Sequence, residues 1–327
     1  MQQKLKQIVK RIPGIYYLSG NFIQRSSGKR NSTFFSYRAN FKDNNNWDIT
    51  KIDKNRDLYA DRLSEIMTFY KISLPKLIVH YLRNGTPNTN YYKNRMLRYF
   101  ESIGKNEDNL KKSYVASDFM YAQRLMLRYH NYNIGNKAKN ILERIGTFPL
   151  EKIQVLDYGC GVADPSLFLA LHGANITIVD LESTKFKFAQ ARFKRRNLEV
   201  NSVTSTQTEK PCEIPEDLKF DLIIMAEFLE HVRSPRLFLE FALSHLKAGG
   251  IFYDSLGALH NHGIGGDHLE EAKHEMETTD YEIFFRNNLQ PLKNILKEEN
   301  FEHFYMKQGK GLIDGKTAQQ FVREILG

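Results

Sequence analysis

The sequence predicts an α/β fold, a doubly wound and mainly parallel sheet, preceded by a mainly helical N-terminal region. Two observations carry this. The hydrophobic period changes from helical to strand-then-helix alternation after Gly146. A buried strand then runs into a Gly-x-Gly turn and a helix at Val155–Pro165. With 327 residues, the chain is long for one compact domain and short for three. The expected division is a basic, mainly helical region over 1–112 and an α/β domain over 113–327.

The elements follow in order. Residues 1–55 are irregular, and Ser26–Ser32 and Lys42–Trp47 favour turns. Leu58, Leu63, Ile66 and Met67 recur at helical spacing. A helix is expected over Leu74–Arg83, with Ser73 as cap, Pro75 in its first turn and Gly85 past its end. Others are expected over Tyr91–Ile103, Asp118–Tyr129 and Asn136–Ile145. Beyond Gly146, strands are expected at Ile153–Leu156, Ile176–Val179, Val200–Thr204, Leu222–Met225, Ile251–Ser255 and Phe301–Met306. The intervening helices are Pro165–Leu171, Ser183–Arg196, Pro235–Leu246 capped by Ser234, and Tyr281–Glu299. This alternation implies parallel strands with helices on both faces.

Charge divides the same way. Residues 1–150 carry 27 Lys+Arg against 11 Asp+Glu, a charge of +16. Residues 151–327 carry 20 against 27, a charge of −7. The basic half is expected to face something anionic: nucleic acid, a membrane surface, an acidic substrate or the acidic half itself. No apolar run approaches the roughly 18 residues of a spanning helix. Met1–Ile12 lacks the apolar core of a secretory signal and reads as a short basic amphipathic helix or a solvated one docked on its own protein. Cys160 and Cys212 are too few for a disulfide framework or a Cys-rich zinc site. A reducing cytoplasm is the expected location.

The segment Val155-Leu156-Asp157-Tyr158-Gly159-Cys160-Gly161-Val162-Ala163-Asp164-Pro165 is the strongest signal. Glycines let backbone approach a ligand closely, and Asp164 and Pro165 suit a helix start. Alone, a Gly-x-Gly is also an ordinary strand-to-helix turn. A dinucleotide site needs Gly or Ala where Asp164 stands, and a carboxylate there repels pyrophosphate. A phosphate P-loop would need Gly-Lys-Ser/Thr, which is absent. Asp157, opening the loop, can receive an ammonium group. Asp180 ends the second strand and lies 19 residues after Gly161. An acid so placed can accept both hydroxyls of a ribose, or cap the helix that follows. Loop and acid together suggest an adenosine ligand with no phosphates and a cationic end.

Val155–Ala163, Asp180, Phe220–Val232 and Leu246-Lys247-Ala248-Gly249-Gly250 resemble, in order, the blocks of class I Rossmann-like methyltransferases. The likeness covers roughly residues 117–307. It is nearest to the small-molecule subgroup that includes ubiquinone-biosynthesis O-methyltransferases. The resemblance implies S-adenosyl-L-methionine as cofactor. It gives Asp157, Gly159 and Gly161 to the methionine part and Asp180 to the ribose, with Cys160, Leu181, Ala226 and Glu227 as further candidate cofactor-binding residues. Ala163 departs from the family, which often has a third glycine there. The acidic residue often found near adenine has no clear counterpart; Glu209 and Glu213 are the candidates.

Methyl transfer asks the protein to align an acceptor and, for a phenol or alcohol, to remove its proton. Glu227, Glu230 and His231 would share a face if helical, a spacing that permits a metal, but three ligands from one turn seldom complete a site and a pocket wall is the favoured reading. The loop Asp254–His268 holds four glycines and three histidines at the same sheet edge. Glu227, His260, His262 and His231 are the candidate catalytic residues, and no metal is assigned. Asn/Asp-Pro-Pro-aromatic, which amino-directed nucleic-acid enzymes resemble one another in, is replaced by Ala226-Glu227-Phe228. Pro211-Cys212 precedes the fourth strand, unlike the nucleophile of cytosine-C5 enzymes. The expected activity is therefore methyl transfer to a small molecule, on oxygen. An RNA methyltransferase using the basic half and a non-catalytic cofactor-binding protein are the alternatives.

Overall fold

A computed structural model describes residues 65–73, 129–145, 150–255, 269–297, 301 and 303–308. The expected helices at 74–83 and 91–103, most of that at 118–129, and the 112/113 boundary lie outside these residues.

The described elements are α1 (Tyr129–Ile145), a 3-10 turn (Leu150–Lys152), β1 (Gln154–Tyr158), α2 (Asp164–Leu171), β2 (Asn175–Leu181), α3 (Thr184–Arg195) and β3 (Asn201–Ser205). Then come β4 (Phe220–Met225), a 3-10 turn (Leu229–His231), α4 (Pro235–His245), β5 (Leu246–Asp254), α5 (Glu270–Met276), α6 (Thr279–Asn288), β6 (Leu289–Pro291), α7 (Leu292–Leu296) and β7 (Phe304–Lys307). The sheet order is β3-β2-β1-β4-β5-β7-β6. Neighbours are parallel through β5, and β7 runs antiparallel to both β5 and β6. The expected doubly wound sheet is thus present. Strand order reverses between β1 and β4, and such a switch opens a crevice at the carboxyl ends of the strands.

Parallel strands covered on both sides need apolar residues on both faces. Val155, Ile176, Ile178, Leu222 and Ile224 pack with α1–α3 residues such as Ile141, Leu167 and Phe193. Leu156, Val179, Ile223 and Met225 point the other way, with Phe238 and Leu239 of α4 and Tyr281 of α6. The two-residue alternation of a strand does this sorting.

Three local expectations are corrected. The helix expected from Asn136 begins in the described residues at Tyr129 and passes through Gly135. A Cβ at Gly135 would lie 2.9 Å from the Pro165 carbonyl oxygen and 3.0 Å from Phe168 Cβ, so glycine here permits close packing of α1 on α2. Gly135→Ala gains about 1 kcal/mol of helix propensity but forces an overlap costing about 1–3 kcal/mol. A net fall in melting temperature is expected. A rise on thermal melting would show that the two helices do not meet this closely.

The single helix expected over Tyr281–Glu299 is divided into α6, β6 and α7. Pro291 cannot donate within a helix and drives the preceding residue to extended geometry. Buried Leu289 pairs with Lys307 of β7 instead. The third correction concerns caps. Ser234 does not cap α4 with its side chain. Its hydroxyl donates to Glu275 Oε1 at 3.0 Å, and Glu275 Oε2 accepts from the Arg236 amide at 2.9 Å. The cap is therefore supplied by α5, whose carboxylate also suits the helix N-terminus. Asp164 lies inside α2 rather than capping it, and the N-cap is Ala163.

From the N-terminal region, residues 65–69 are helical. Glu65 meets two guanidinium groups of α3 and its end: Arg192 Nε at 2.9 Å, and Arg196. Ile66 is fully buried, and the Phe69 and Tyr70 rings stack near Phe188 at 5.1 and 5.6 Å.

Candidate functional site

The loop after β1 has an unusual backbone. Gly159 (φ 71°), Gly161 (φ 59°) and Ala163 (φ 57°) are left-handed at alternate positions. This winding turns the chain from strand into helix within five residues. The amides of Gly159 and Cys160 both donate to the Val179 carbonyl, at 2.8 and 3.0 Å, which ties the loop to β2. Only glycine fits at 159: a Cβ would lie 2.3 Å from Phe228 Cδ2. Ala163 bears a left-handed conformation that costs an L-residue about 1–2 kcal/mol. Alanine thus stands, at the position expected to hold a third glycine, in a conformation that favours glycine.

Asp157 projects from β1 toward α2 and is 2% exposed. The Ser166 hydroxyl donates to its Oδ2 at 2.6 Å. Burial raises its pKa to about 7, and the nearby charges of Asp180 and Asp164 add to the rise while the Ser166 bond opposes it. Asp180 ends β2, with Oδ2 accepting from the Gly161 amide at 2.7 Å and Oδ1 from the Leu181 amide at 2.8 Å. Lys185 Nζ lies 3.8 Å from Oδ2. Ser183, rather than Asp180, caps α3 by accepting from the Phe186 amide at 3.0 Å. The cap alternative for Asp180 is thereby removed. Cys160 is buried, and desolvation holds its thiol well above the ordinary range, so it is a small packing side chain rather than a nucleophile.

The structure brings Asp157, Gly159, Cys160, Gly161, Asp180 and Leu181 together at the carboxyl ends of β1 and β2. Ala226 and Glu227 follow β4, which pairs with β1 through Leu156↔Ile223 and Asp157↔Ile224. Their turn therefore opens on the same edge at the switch point. Glu227 is also left-handed (φ 51°), and its amide donates to Ser255 Oγ at 2.6 Å. That bond joins the ends of β4 and β5 and fixes where the Glu227 side chain starts.

The residues after Glu227 form a single 3-10 turn, Leu229–His231, rather than an α-helix. Glu227, Glu230 and His231 therefore do not share the helical face expected of them. Glu230 is buried, and His231 Nε2 lies 3.7 Å from its Oε1. The Glu230 carbonyl accepts from the Leu269 amide at 3.0 Å. His231 thus belongs to the wall around this turn. Among the described residues, no three His, Cys, Asp or Glu side chains gather as metal ligands. His260 and His262 lie outside the described residues. Glu209 and Glu213 are both exposed, and Glu209 lies 3.8 Å from Arg233.

Sequence reasoning missed Ser166, Phe228, Ser255 and Arg192. Ser166 had a signal, since it is a polar residue inside a buried apolar helix. Arg192 had none, because the basic run Lys194–Arg196 beside it suggests a solvated face. Yet Arg192 is 1% exposed, donating from Nη1 to Asp164 Oδ1 at 2.9 Å and to the Val162 carbonyl. Burial alone would lower its pKa, but Glu65 and Asp164 outweigh that and raise it.

Residues 156–252 match the family model described as a methyltransferase domain. The ubiquinone biosynthesis O-methyltransferase of Rickettsia akari (strain Hartford) is 30% identical over 102 residues, covering 31% of this chain and 39% of the relative. Its namesake in Rickettsia prowazekii (strain Madrid E) is 29% identical over 136 residues, covering 37% and 52%. The chain thus spans about half, or less, of the length of these curated relatives. A solved S-adenosylmethionine-dependent methyltransferase from Clostridium acetobutylicum aligns with a TM-score of 0.35 and 17% identity, over 43% of this chain and 56% of that one. The resemblance expected from the sequence is borne out over residues 156–252, the stretch of the parallel strands.

Proposed function

We propose that this chain is an S-adenosylmethionine-dependent methyltransferase acting on a small-molecule acceptor, on oxygen. One observation carries the reading. A glycine loop at the switch point is flanked by two buried carboxylates, Asp157 and Asp180, and the Gly161 amide of that loop is already bonded to Asp180. The methyltransferase-domain match over 156–252 supports it.

The residues fit the cofactor. Asp157, desolvated and beside two other carboxylates, welcomes an ammonium group. Asp180 keeps acceptor capacity beyond its two amide bonds, since a carboxylate has about four lone-pair sites, and would take the ribose hydroxyls. Glycine at 159 and 161 keeps the loop free of side chains where the ligand backs onto it. When bound, S-adenosylmethionine supplies a methyl group on a sulfonium that is already a good leaving group. The chain's task is alignment and proton removal. Glu227, fixed by Ser255, orients the acceptor and takes a hydroxyl proton on its carboxylate. His231 shapes the wall, and His260 and His262, in the sequence that follows β5, would act on the acceptor.

The basic region 1–112 would face an anionic partner, and RNA is the second class of acceptor to test. No described helix is long and apolar enough to cross a membrane. Both cysteines are free, in keeping with a reducing cytoplasm.

The test incubates the purified chain with cell extract and methyl-labelled S-adenosylmethionine, with Asp180→Ala as control. Label in the small-molecule fraction is expected, with loss of about 90% or more in the variant, since one hydrogen bond to a charged group is worth about 1.5–3 kcal/mol. Label confined to RNA would overturn the acceptor class. No label in any fraction would sink the activity.

A further inference from the structure

We propose that Glu65, from the N-terminal region, is a positioning residue for the cofactor loop, acting through Arg192. The inference rests on the methyltransferase reading of the loop.

Arg192 occupies a junction. Its Nη1 donates to the Val162 carbonyl and to Asp164 Oδ1, at 2.9 Å for the latter. Those two residues bracket Ala163, the left-handed alanine at the corner of the loop. The guanidinium therefore grips both sides of the loop's strained position. A strained backbone persists only where its surroundings over-determine it; the Ala163 amide donates to the Cys160 carbonyl at 2.7 Å, and the buried cation adds a restraint on both neighbours.

The same cation needs more than Asp164. It is 1% exposed, and its Nε donates to Glu65 Oε2 at 2.9 Å. Glu65 itself is 3% exposed and also accepts from Arg196 through Oε1. Two guanidinium groups and two carboxylates thus form one buried set. One of the four comes from 127 residues upstream of Arg192. Without Glu65 the set holds two cations against one carboxylate in a desolvated place. Arg192 would then turn toward solvent or draw Asp164 away from its present position. Either movement loosens the grip on Val162 and Asp164. Docking of 65–73 and cofactor binding at the loop are in this way energetically linked, and linkage acts in both directions.

Two measurements on the full chain test this. In the first, S-adenosylhomocysteine is titrated calorimetrically into wild type and Glu65→Gln, with circular dichroism to establish the folded fraction. Affinity about tenfold weaker per folded molecule is expected, within the usual range of such couplings. An equal dissociation constant with only a lower melting temperature would mean that Glu65 is merely structural, and would overturn the proposal. In the second, hydrogen exchange is followed on wild type with and without S-adenosylhomocysteine. It decides the matter even if the variant fails to fold. The Tyr70 and Ile72 amides, bonded to the Ile66 and Met67 carbonyls, are the reporters. Ligand should slow them by a larger factor than the amides of α6. Slowing no greater than in α6 would overturn the coupling while leaving the cofactor reading intact. Absence of any S-adenosylhomocysteine binding by wild type would overturn both.

Discussion

Asp157→Asn is expected to raise the melting temperature at pH 8 while weakening cofactor binding by about 10- to 100-fold, the worth of a charge-assisted hydrogen bond. The carboxyl is ionised above about pH 4 in the unfolded chain but keeps its proton in the fold up to about pH 7. The folded state thus binds the extra proton between those values, so stability falls as pH rises through that window. Above pH 7 the folded protein bears the whole cost of an ionised, buried carboxylate, at most about 4 kcal/mol at about 1.4 kcal/mol per pKa unit. Asn carries no such charge and can still accept the Ser166 hydroxyl. Its advantage should therefore be small at pH 5 and large at pH 8. Calorimetric melting of both proteins across this range checks the sign, and a gain independent of pH would mean that Asp157 does not titrate in the window. For the ligand the direction reverses. An ammonium group favours the ionised carboxylate, so wild-type affinity should climb as pH approaches 7 and then level off. The variant should show no such climb. A site that is costly to hold empty and favourable to fill is the usual exchange of stability for function.

Gly159→Ala is expected to lose cofactor binding and to destabilise the fold by about 2–5 kcal/mol. Two independent penalties add. The left-handed φ of 71° costs an alanine about 1–2 kcal/mol. Its methyl would also lie 2.3 Å from the Phe228 ring, an overlap costing about 1–3 kcal/mol. Phe228 cannot move freely, since its ring packs edge-on against Tyr158 at 5.1 Å and Phe238 at 5.2 Å. A double-mutant cycle separates the two terms. The double change with Phe228→Ala should cost less than the sum of the two single changes, because only the φ penalty of the glycine substitution survives. Strict additivity would show that the ring and the loop do not touch. Ala163 illustrates the contrast: alanine is tolerated at φ 57°, with Arg192 holding the residues on either side.

The limits of sequence reading appear at particular residues. Strands β1, β2, β4 and β5 were legible because each is a short apolar run read off consecutive residues. β6 was not, because three residues ending at Pro291 have no period of their own and become a strand only by pairing with β7. The same holds for the cap of α4, whose carboxylate comes from Glu275 and not from the serine at the expected position.

At the site, the sequence alone determined the loop, its glycines, the acid opening it and the acid ending the next strand. All of these are set by local chain geometry, the strand-to-turn-to-helix passage and the distance to the following strand. Only the tertiary structure decided what those groups feel. It buried Asp157 beside Ser166, bonded Asp180 to the Gly161 amide, set the Phe228 ring over Gly159, and drew Arg192 out of a basic stretch into contact with Glu65. Burial and charge pairing depend on which distant elements pack together, and no spacing along the chain encodes that.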